Sequence, residues 1–182
     1  FKMGAERKLF ELTEIRQGQT LQLIWKNGGV EWKNAVSQLV PDTAQKNSTY
    51  GSIHFLTPLR IRRKGSLLLT VDFPTIIRNI TRRMSDLTER YGGYVDFAEI
   101  ETLQYLSEMV QEVSSGVYLN NIDRYSTRRN MKMDLSGLMG AMTFQGELSV
   151  FTPWLNAASV LHIGRNVTFG CGKIDVVFGN IE

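Results

Sequence analysis

The chain has 182 residues, of which 42% are hydrophobic and 21% charged, with a formal net charge of +3; that is enough apolar content for the core of one large domain, or of one domain plus part of another. No apolar run approaches the roughly 20 residues that span a membrane, and the first residues are not a secretory signal, so a cytoplasmic location without membrane contact is expected. The single cysteine, Cys171, excludes an internal disulfide, and with two histidines and no carboxylate–histidine cluster at ligand spacing neither a bound metal nor a cofactor is expected.

Lys8 to Ile15 alternates between apolar and polar residues and reads as a strand, as does Thr20 to Trp25. Asn27-Gly28-Gly29 is a turn signal. From Lys33 to Gly51 the pattern fades into a linker. The chain opens at Phe1 on sequence that resembles the middle of a domain, so an N-terminal portion is expected to precede it. A second region begins at Ser52. Ile53, Phe55, Leu59 and Ile61 predict a strand, broken or bulged by Pro58. Phe73, Ile76, Ile77, Ile80, Met84, Leu87 and Tyr91 follow helical spacing behind Asp72 as N-cap, and Gly92-Gly93 ends the helix. A second amphipathic helix is predicted with Phe97, Ile100, Leu103, Leu106, Met109, Val110 and Val113 as its buried face; its outer face is acidic and is expected to point away from nucleic acid.

Gly116 to Ile122 predicts a strand and Asp123 to Asn130 a polar, basic segment. Met131 to Phe144 predicts another strand, with Gly137 and Gly140 marking a bulge or a close backbone approach. Thr152 as N-cap and Pro153 at N1 start a short helix to Ile163, and Ile174 to Phe178 predicts the last strand. From Ser52 the order is therefore β, α, an extra α, β, β, α, β. Without the extra helix this is the α+β ferredoxin-like (RRM-like) arrangement. The expected division is residues 1–51, the end of a truncated first ferredoxin-like domain plus a linker, and residues 52–182, a complete one. Gly4 to Leu12 is a small-residue and basic segment leading into a strand, a degenerate echo of Gly164 to Val176.

Charge is unevenly spread. Arg60, Arg62, Arg63 and Lys64 form one basic cluster, Arg78, Arg82, Arg83 and Arg90 a second, and Arg124, Arg128, Arg129 and Lys132 a third, while acids collect between Asp86 and Glu112. Such separation predicts either a polyanion-binding face or solvated basic surface. The densest chemistry lies in Leu161 to Lys173, where Gly164, Gly170 and Gly172 accompany Arg165, Asn166, Thr168 and Lys173. In phosphate-binding loops of P-loop and dinucleotide folds the glycines follow a strand and open a helix. Here they follow a helix and open a strand, and Gly172-Lys173 is followed by Ile174, so both of those readings fail. Two remain: a tight turn packing helix on sheet, or a loop whose donors contact a polyanion.

The ordered set Thr57-Pro58-Leu59-Arg60, Arg82-Arg83-Met84-Ser85-Asp86-Leu87, Arg124-Tyr125-Ser126, Gly137-Leu138-Met139-Gly140 and Leu161 to Lys173 resembles the C-terminal part of the CRISPR-associated precursor-crRNA endoribonucleases of the RAMP superfamily. The Phe-Gly-Cys-Gly-Lys run is the most specific of these matches. The resemblance implies two ferredoxin-like domains in tandem, each with a glycine-rich loop between its last helix and last strand. It implies CRISPR repeat RNA as partner, with other CRISPR-associated proteins beside it, and metal-independent cleavage in which a ribose 2′-OH attacks the adjacent phosphate to leave a 2′,3′-cyclic phosphate. It fixes no oligomeric state.

On that reading Gly164, Arg165, Asn166, Thr168, Gly170, Gly172 and Lys173 contact RNA. So do Arg124, Tyr125, Arg128, Arg129 and Lys132, from a basic hairpin, and Arg82 and Arg83 track phosphates. Tyr125 either stacks on a base or packs on the sheet. Proton transfer suits histidine. His162, at a helix end, either serves that role or bonds nearby carbonyls; His54 lies within a strand. The resemblance places the catalytic histidine in the preceding domain. Two rival classes stay open: a non-catalytic RNA-binding RAMP subunit of a CRISPR effector complex, and a ferredoxin-like domain that binds only protein.

Overall fold

The computed structural model of the chain describes residues 2–3, 8–9, 11–17, 20–35, 48–126 and 130–180. It divides into two compact units, Phe1–Val40 and Pro41–Glu182. In the first unit β1 (Lys2–Met3) pairs antiparallel with β2 (Lys8–Leu9). A separate three-stranded antiparallel sheet joins β3 (Glu14–Arg16), β4 (Leu23–Lys26) and β5 (Gly29–Val30), followed by one helical turn, α1 (Trp32–Ala35). Lys26 pairs with Gly29, so the β4–β5 loop is Asn27-Gly28, both at positive φ (49° and 85°). Only asparagine and glycine enter that region at low cost, and the resulting turn matches the twist of a two-residue hairpin. The predicted Lys8 to Ile15 strand is thus two short strands, and the echo over Gly4 to Leu12 falls largely outside the described residues.

The second unit is built on β6 (Tyr50–Leu59), β9 (Gln111–Ser115), β10 (Tyr118–Asn120), β13 (Gly137–Gln145) and β14 (Ile174–Gly179). Small antiparallel hairpins are added by β7 (Arg62–Arg63) with β8 (Ser66–Leu67) and by β11 (Asp123–Ser126) with β12 (Met131–Asp134). In the main sheet β14 pairs with β6, β6 with β13, and β13 with both β9 and β10 along its other edge. Counting β9 and β10 as one interrupted strand, the order is that of a ferredoxin-like sheet, and every pairing is antiparallel.

Helices α2 (Phe73–Tyr91), α3 (Phe97–Ser107) and α4 (Thr152–Leu161) complete the unit. Strand β6 alternates as predicted, burying Ile53 and Phe55 while Ser52 and His54 face outward. The buried strand residues, with Leu138, Met142, Phe144 and Ile174, form one core with Phe73, Ile76, Ile77 and Ile80 of α2 and Leu155 and Ala158 of α4. Phe73 anchors it, tilted against Phe144 at 4.8 Å and edge-on to Phe151 at 5.0 Å. The Asp72 carboxylate accepts the Thr75 amide at 2.8 Å, capping α2, and Gly92 (φ +83°) ends it. The bulge predicted at Pro58 is present: Leu138 pairs with Leu59, but Gly140 pairs with Phe55.

Three expectations are corrected. The second helix ends at Ser107, and Gln111 to Ser115 is strand β9, paired with β13 from Gln145 to Met142. Helical spacing continues through Val113, but β13 would otherwise present a bare edge, and pairing outweighs propensity there. Leu103 is buried, whereas Phe97 is 71% exposed and Met109 57%. The predicted Met131 to Phe144 strand is two strands, with Leu135 and Ser136 turning the chain between them. The last helix begins at Thr152, one residue before the predicted N1, with Phe151 as N-cap; the Thr152 hydroxyl donates back to the Leu148 carbonyl.

Candidate nucleic-acid interface

The glycine loop is held by Thr57-Pro58-Leu59-Arg60, the end of β6 and the residue after it. The Thr57 hydroxyl accepts the Lys173 amide at 2.8 Å. The Pro58 carbonyl accepts the Gly172 amide at 3.0 Å, and the Arg60 carbonyl accepts the Arg165 amide at 2.8 Å. Leu59 is fully buried below Gly164. The glycines permit this contact. Gly164 has φ +79°, and a β-carbon there would lie 2.6 Å from the Arg60 carbonyl oxygen; at Gly172 (φ +76°) it would lie 1.8 Å from that of Ile163. Asn166 and Gly170, both left-handed, bracket a 3-10 turn over Val167–Phe169.

The loop also gathers basic groups at the C-terminal end of α4, where helix carbonyls lack partners. The Lys173 ammonium donates to the Ser159 carbonyl at 2.8 Å, and the Arg83 guanidinium reaches the Leu161 carbonyl at 3.5 Å. His162, at φ +57°, donates its backbone amide to Ala158, and its Nδ1 lies 3.1 Å from the Cys171 carbonyl. The ring therefore ties the two sides of the loop together. Cys171 is buried, and burial pushes its thiol pKa up despite the nearby Arg60 charge, so it is a packing residue and not a nucleophile.

Between the loop and α2 runs a groove of about 240 Å³ lined by Arg62, Asn79, Arg82, Arg83, Asp86, Gly164 and Arg165. Two predicted elements, the arginine ridge of α2 and the glycine loop, thus meet in one place. Among the described residues none of these four arginines is in an ion pair. Arg83 keeps its Nε buried with no partner among them. Arg62 was not singled out from the sequence as a site residue; its signal was its place in the first basic cluster. Arg60, from the same cluster, behaves differently. It is only 3% exposed, and its guanidinium donates to the Ser136 carbonyl and, at 3.1 Å, to the Asp134 carboxylate. The expectation of a surface charge there is wrong, because the bulge at Pro58 turns Arg60 beneath the β11–β12 hairpin.

That hairpin carries the remaining candidates. Arg124 lies over the Phe169 ring of the glycine loop, 5.2 Å from its centroid. Tyr125 pairs in register with Lys132, so those two share the other face; both are exposed, and the Tyr125 hydroxyl bonds the Asn130 side chain. Arg128 and Arg129 lie outside the described residues. His54 stands on the open sheet face in register with Ala141 and Asp175, and its ring makes no hydrogen bond among the described residues. The groove lining contains no histidine. Among the described residues no three His, Cys, Asp or Glu side chains gather to hold a metal, and no helix is long and apolar enough to cross a membrane.

This architecture has known counterparts. A Cas6 product complex is similar over 74% of this chain and 54% of its own, with a TM-score of 0.56 at 13% identity. Thermus thermophilus Cas6 is similar over 74% and 56%, with a TM-score of 0.54 at 13% identity. A partial Cas6-RT-Cas1–Cas2 complex is similar over 77% and 24%, with a TM-score of 0.53 at 12% identity. At such identities the likeness is one of fold, and the chain spans about half the length of the two Cas6 structures. No curated protein sequence matches it. The sequence profile of the CRISPR-associated endoribonuclease Cas6 family matches residues 53–174, from the first strand of the ferredoxin-like unit to the first residue of the last. The chain belongs to the CRISPR-associated endoribonuclease Cas6 family.

Proposed function

We propose that this chain is the RNA-holding C-terminal part of a CRISPR RNA-processing endoribonuclease, and that the sugar–phosphate backbone of repeat RNA runs along the groove between α2 and the glycine loop. The observation that carries this reading is the convergence of Arg62, Arg82, Arg83 and Arg165 around Gly164, none of them ion-paired among the described residues. Guanidinium groups match phosphate geometry. The groove is open and polar, which suits a charged backbone better than an enclosed small molecule. The RNP-style alternative, bases stacked on the sheet, has less support: the open face of β6 and β13 offers the rings of Tyr50 and His54 beside Ser52, Ala141 and Thr143, but none of the four groove arginines. In this proposal residues 1–51 close a first ferredoxin-like domain and residues 52–182 form the second.

Cleavage in the full-length protein proceeds by attack of the 2′-oxygen on the adjacent phosphorus. The 2′-proton passes to a base, the bond from phosphorus to the 5′-oxygen breaks, and that oxygen takes a proton from an acid. With His162 turned onto the Cys171 carbonyl and His54 on the open sheet, acid and base come from residues outside the groove. That same absence of histidine favours a second reading, a non-catalytic RNA-binding subunit of an effector complex.

The test is RNA affinity as a function of salt for wild type, Arg82→Ala and Arg165→Ala. Each substitution should weaken binding and reduce the slope of log K against log salt by about one. Unchanged affinity and slope for both would refute the groove. Adding full-length protein and EDTA to repeat RNA separates the two readings: a 2′,3′-cyclic phosphate product supports the nuclease, and stable binding without cleavage the subunit.

A further inference from the structure

Thr57-Pro58-Leu59-Arg60 holds the glycine loop through the Thr57 hydroxyl and main-chain bonds, and the bond from Arg60 uses its carbonyl, which any side chain at position 60 would allow. The Arg60 side chain serves a different neighbour. Its guanidinium is bonded to the Ser136 carbonyl and to Asp134 Oδ2 at 3.1 Å. Asp134 is the last residue of β12, and its Oδ1 accepts the Ser136 amide at 2.7 Å. The Ser136 hydroxyl accepts the Ile122 amide at 3.0 Å, and the Leu135 amide donates to the Ile122 carbonyl at 2.8 Å. The β12 end of the hairpin base thus bonds the guanidinium directly, and the β11 end is tied to it through Ser136. Gly137 leaves the room, since a β-carbon there would lie 2.7 Å from the Leu59 carbonyl oxygen and 3.0 Å from Arg60 Cγ.

We propose that the pair between buried Arg60 and surface Asp134 is a latch that sets the β11–β12 hairpin against the glycine loop, making Arg60 a positioning residue for RNA binding. The proposal rests on the reading of the groove and loop as an RNA-backbone site. Hydrophobic contacts alone would leave a hairpin of two four-residue strands with exposed faces free to swing. A guanidinium bonded to two groups fixes direction as well as distance. The burial is asymmetric, with the Arg60 side chain 4% exposed and the Asp134 side chain 53% exposed. Removing the carboxylate therefore releases the hairpin without excavating the core. The consequence is that Arg124 reaches RNA, from above Phe169, only while the latch is closed.

The experiment is a double-mutant cycle on the full chain, using a fluorescein-labelled repeat stem-loop RNA. Arg124→Ala is measured in the wild-type and Asp134→Asn backgrounds, and Arg165→Ala in both as reference. With the latch, Arg124→Ala weakens binding several-fold in wild type and by less than twofold in Asp134→Asn, while Arg165→Ala costs the same in each. Asp134→Glu restores part of the Arg124 effect, which a general loss of fold would not allow. Equal Arg124→Ala penalties in both backgrounds overturn the latch and leave the groove standing. No Arg165→Ala penalty in either background sinks the RNA reading itself. Hydrogen exchange supplies a readout without RNA: the Arg124, Ser126, Met131 and Met133 amides, which belong to the hydrogen-bonded pairs of the hairpin, exchange faster in Asp134→Asn while those of β6 do not change. Unchanged hairpin exchange also overturns the proposal.

Discussion

Gly170 and Gly172 lie two residues apart in one loop with similar left-handed φ values, +85° and +76°, yet their surroundings differ completely. A β-carbon on Gly170 meets open space, whereas on Gly172 it lies 1.8 Å from the Ile163 carbonyl oxygen. Gly170→Ala should therefore cost only the backbone penalty, about 1–2 kcal/mol. Gly172→Ala should cost more than about 4 kcal/mol or prevent the loop from closing, because two main-chain segments must separate. Urea denaturation of the two variants measures the difference; similar losses would show that the loop is not clamped as described. The sequence exposed the glycines and their order relative to helix and strand, but not which were sterically required. That depends on how the loop folds back on Ile163 at Gly172 and on Arg60, more than a hundred residues earlier, at Gly164, and no local pattern carries it. His162 was legible as a helix-end residue because its position in the chain suffices, although its ring partner, Cys171, was not. Arg60 was misread because a run of basic residues looks like surface until the strand bulge that buries one of them is known.

At the scale of elements, the extent of helix α2 was readable from its N-cap and terminal glycines, and its apolar stripe is buried from Phe73 to Ile80 while Tyr91, at the end of the same stripe, is exposed. Helix α3 was readable only in part, because periodicity cannot show that Gln111 to Ser115 are needed to complete a sheet edge. The hairpin was visible as a basic stretch, but its attachment to Arg60, just past β6, was not. That attachment makes a testable claim about pH. The Arg60 hydrogen bond, with those of the Ser136 hydroxyl and amide, holds the Asp134 carboxyl far below the usual carboxylate range. A carboxyl whose folded pKa is depressed adds stability that is fully present above its unfolded value and is lost as pH falls. The difference in melting temperature between wild type and Asp134→Asn should thus stay constant from about pH 8 to pH 6 and shrink below about pH 4. A gap that instead persists in acid, or closes as pH rises, contradicts a charged Asp134 in the latch. Because that side chain is half exposed, the gap itself should be modest.

For the molecule as a whole, the ferredoxin-like unit has one chemically distinct side where the arginines of α2, the β7–β8 hairpin and the glycine loop meet, and the hairpin Arg124 joins them through Phe169. Helix α3 and the segments beside it carry the acids Asp96, Glu99, Glu101, Glu108 and Glu112. Electrostatics alone then orients a polyanion toward the arginines and away from α3. The element order of this unit was legible from Ser52 onward because turns and caps punctuate each element, and the ordered motifs made the family legible as well. The meeting of ridge and loop was not, since it arises from α2 and α4 lying on the same face of the sheet. Crosslinking of 4-thiouridine-substituted repeat RNA to the full chain, followed by mass spectrometry, tests that meeting most directly. Adducts on peptides containing Arg82 and Arg83 together with those spanning Gly164 to Phe169 are the predicted result; adducts confined to α3 or to the open sheet face around His54 would contradict it.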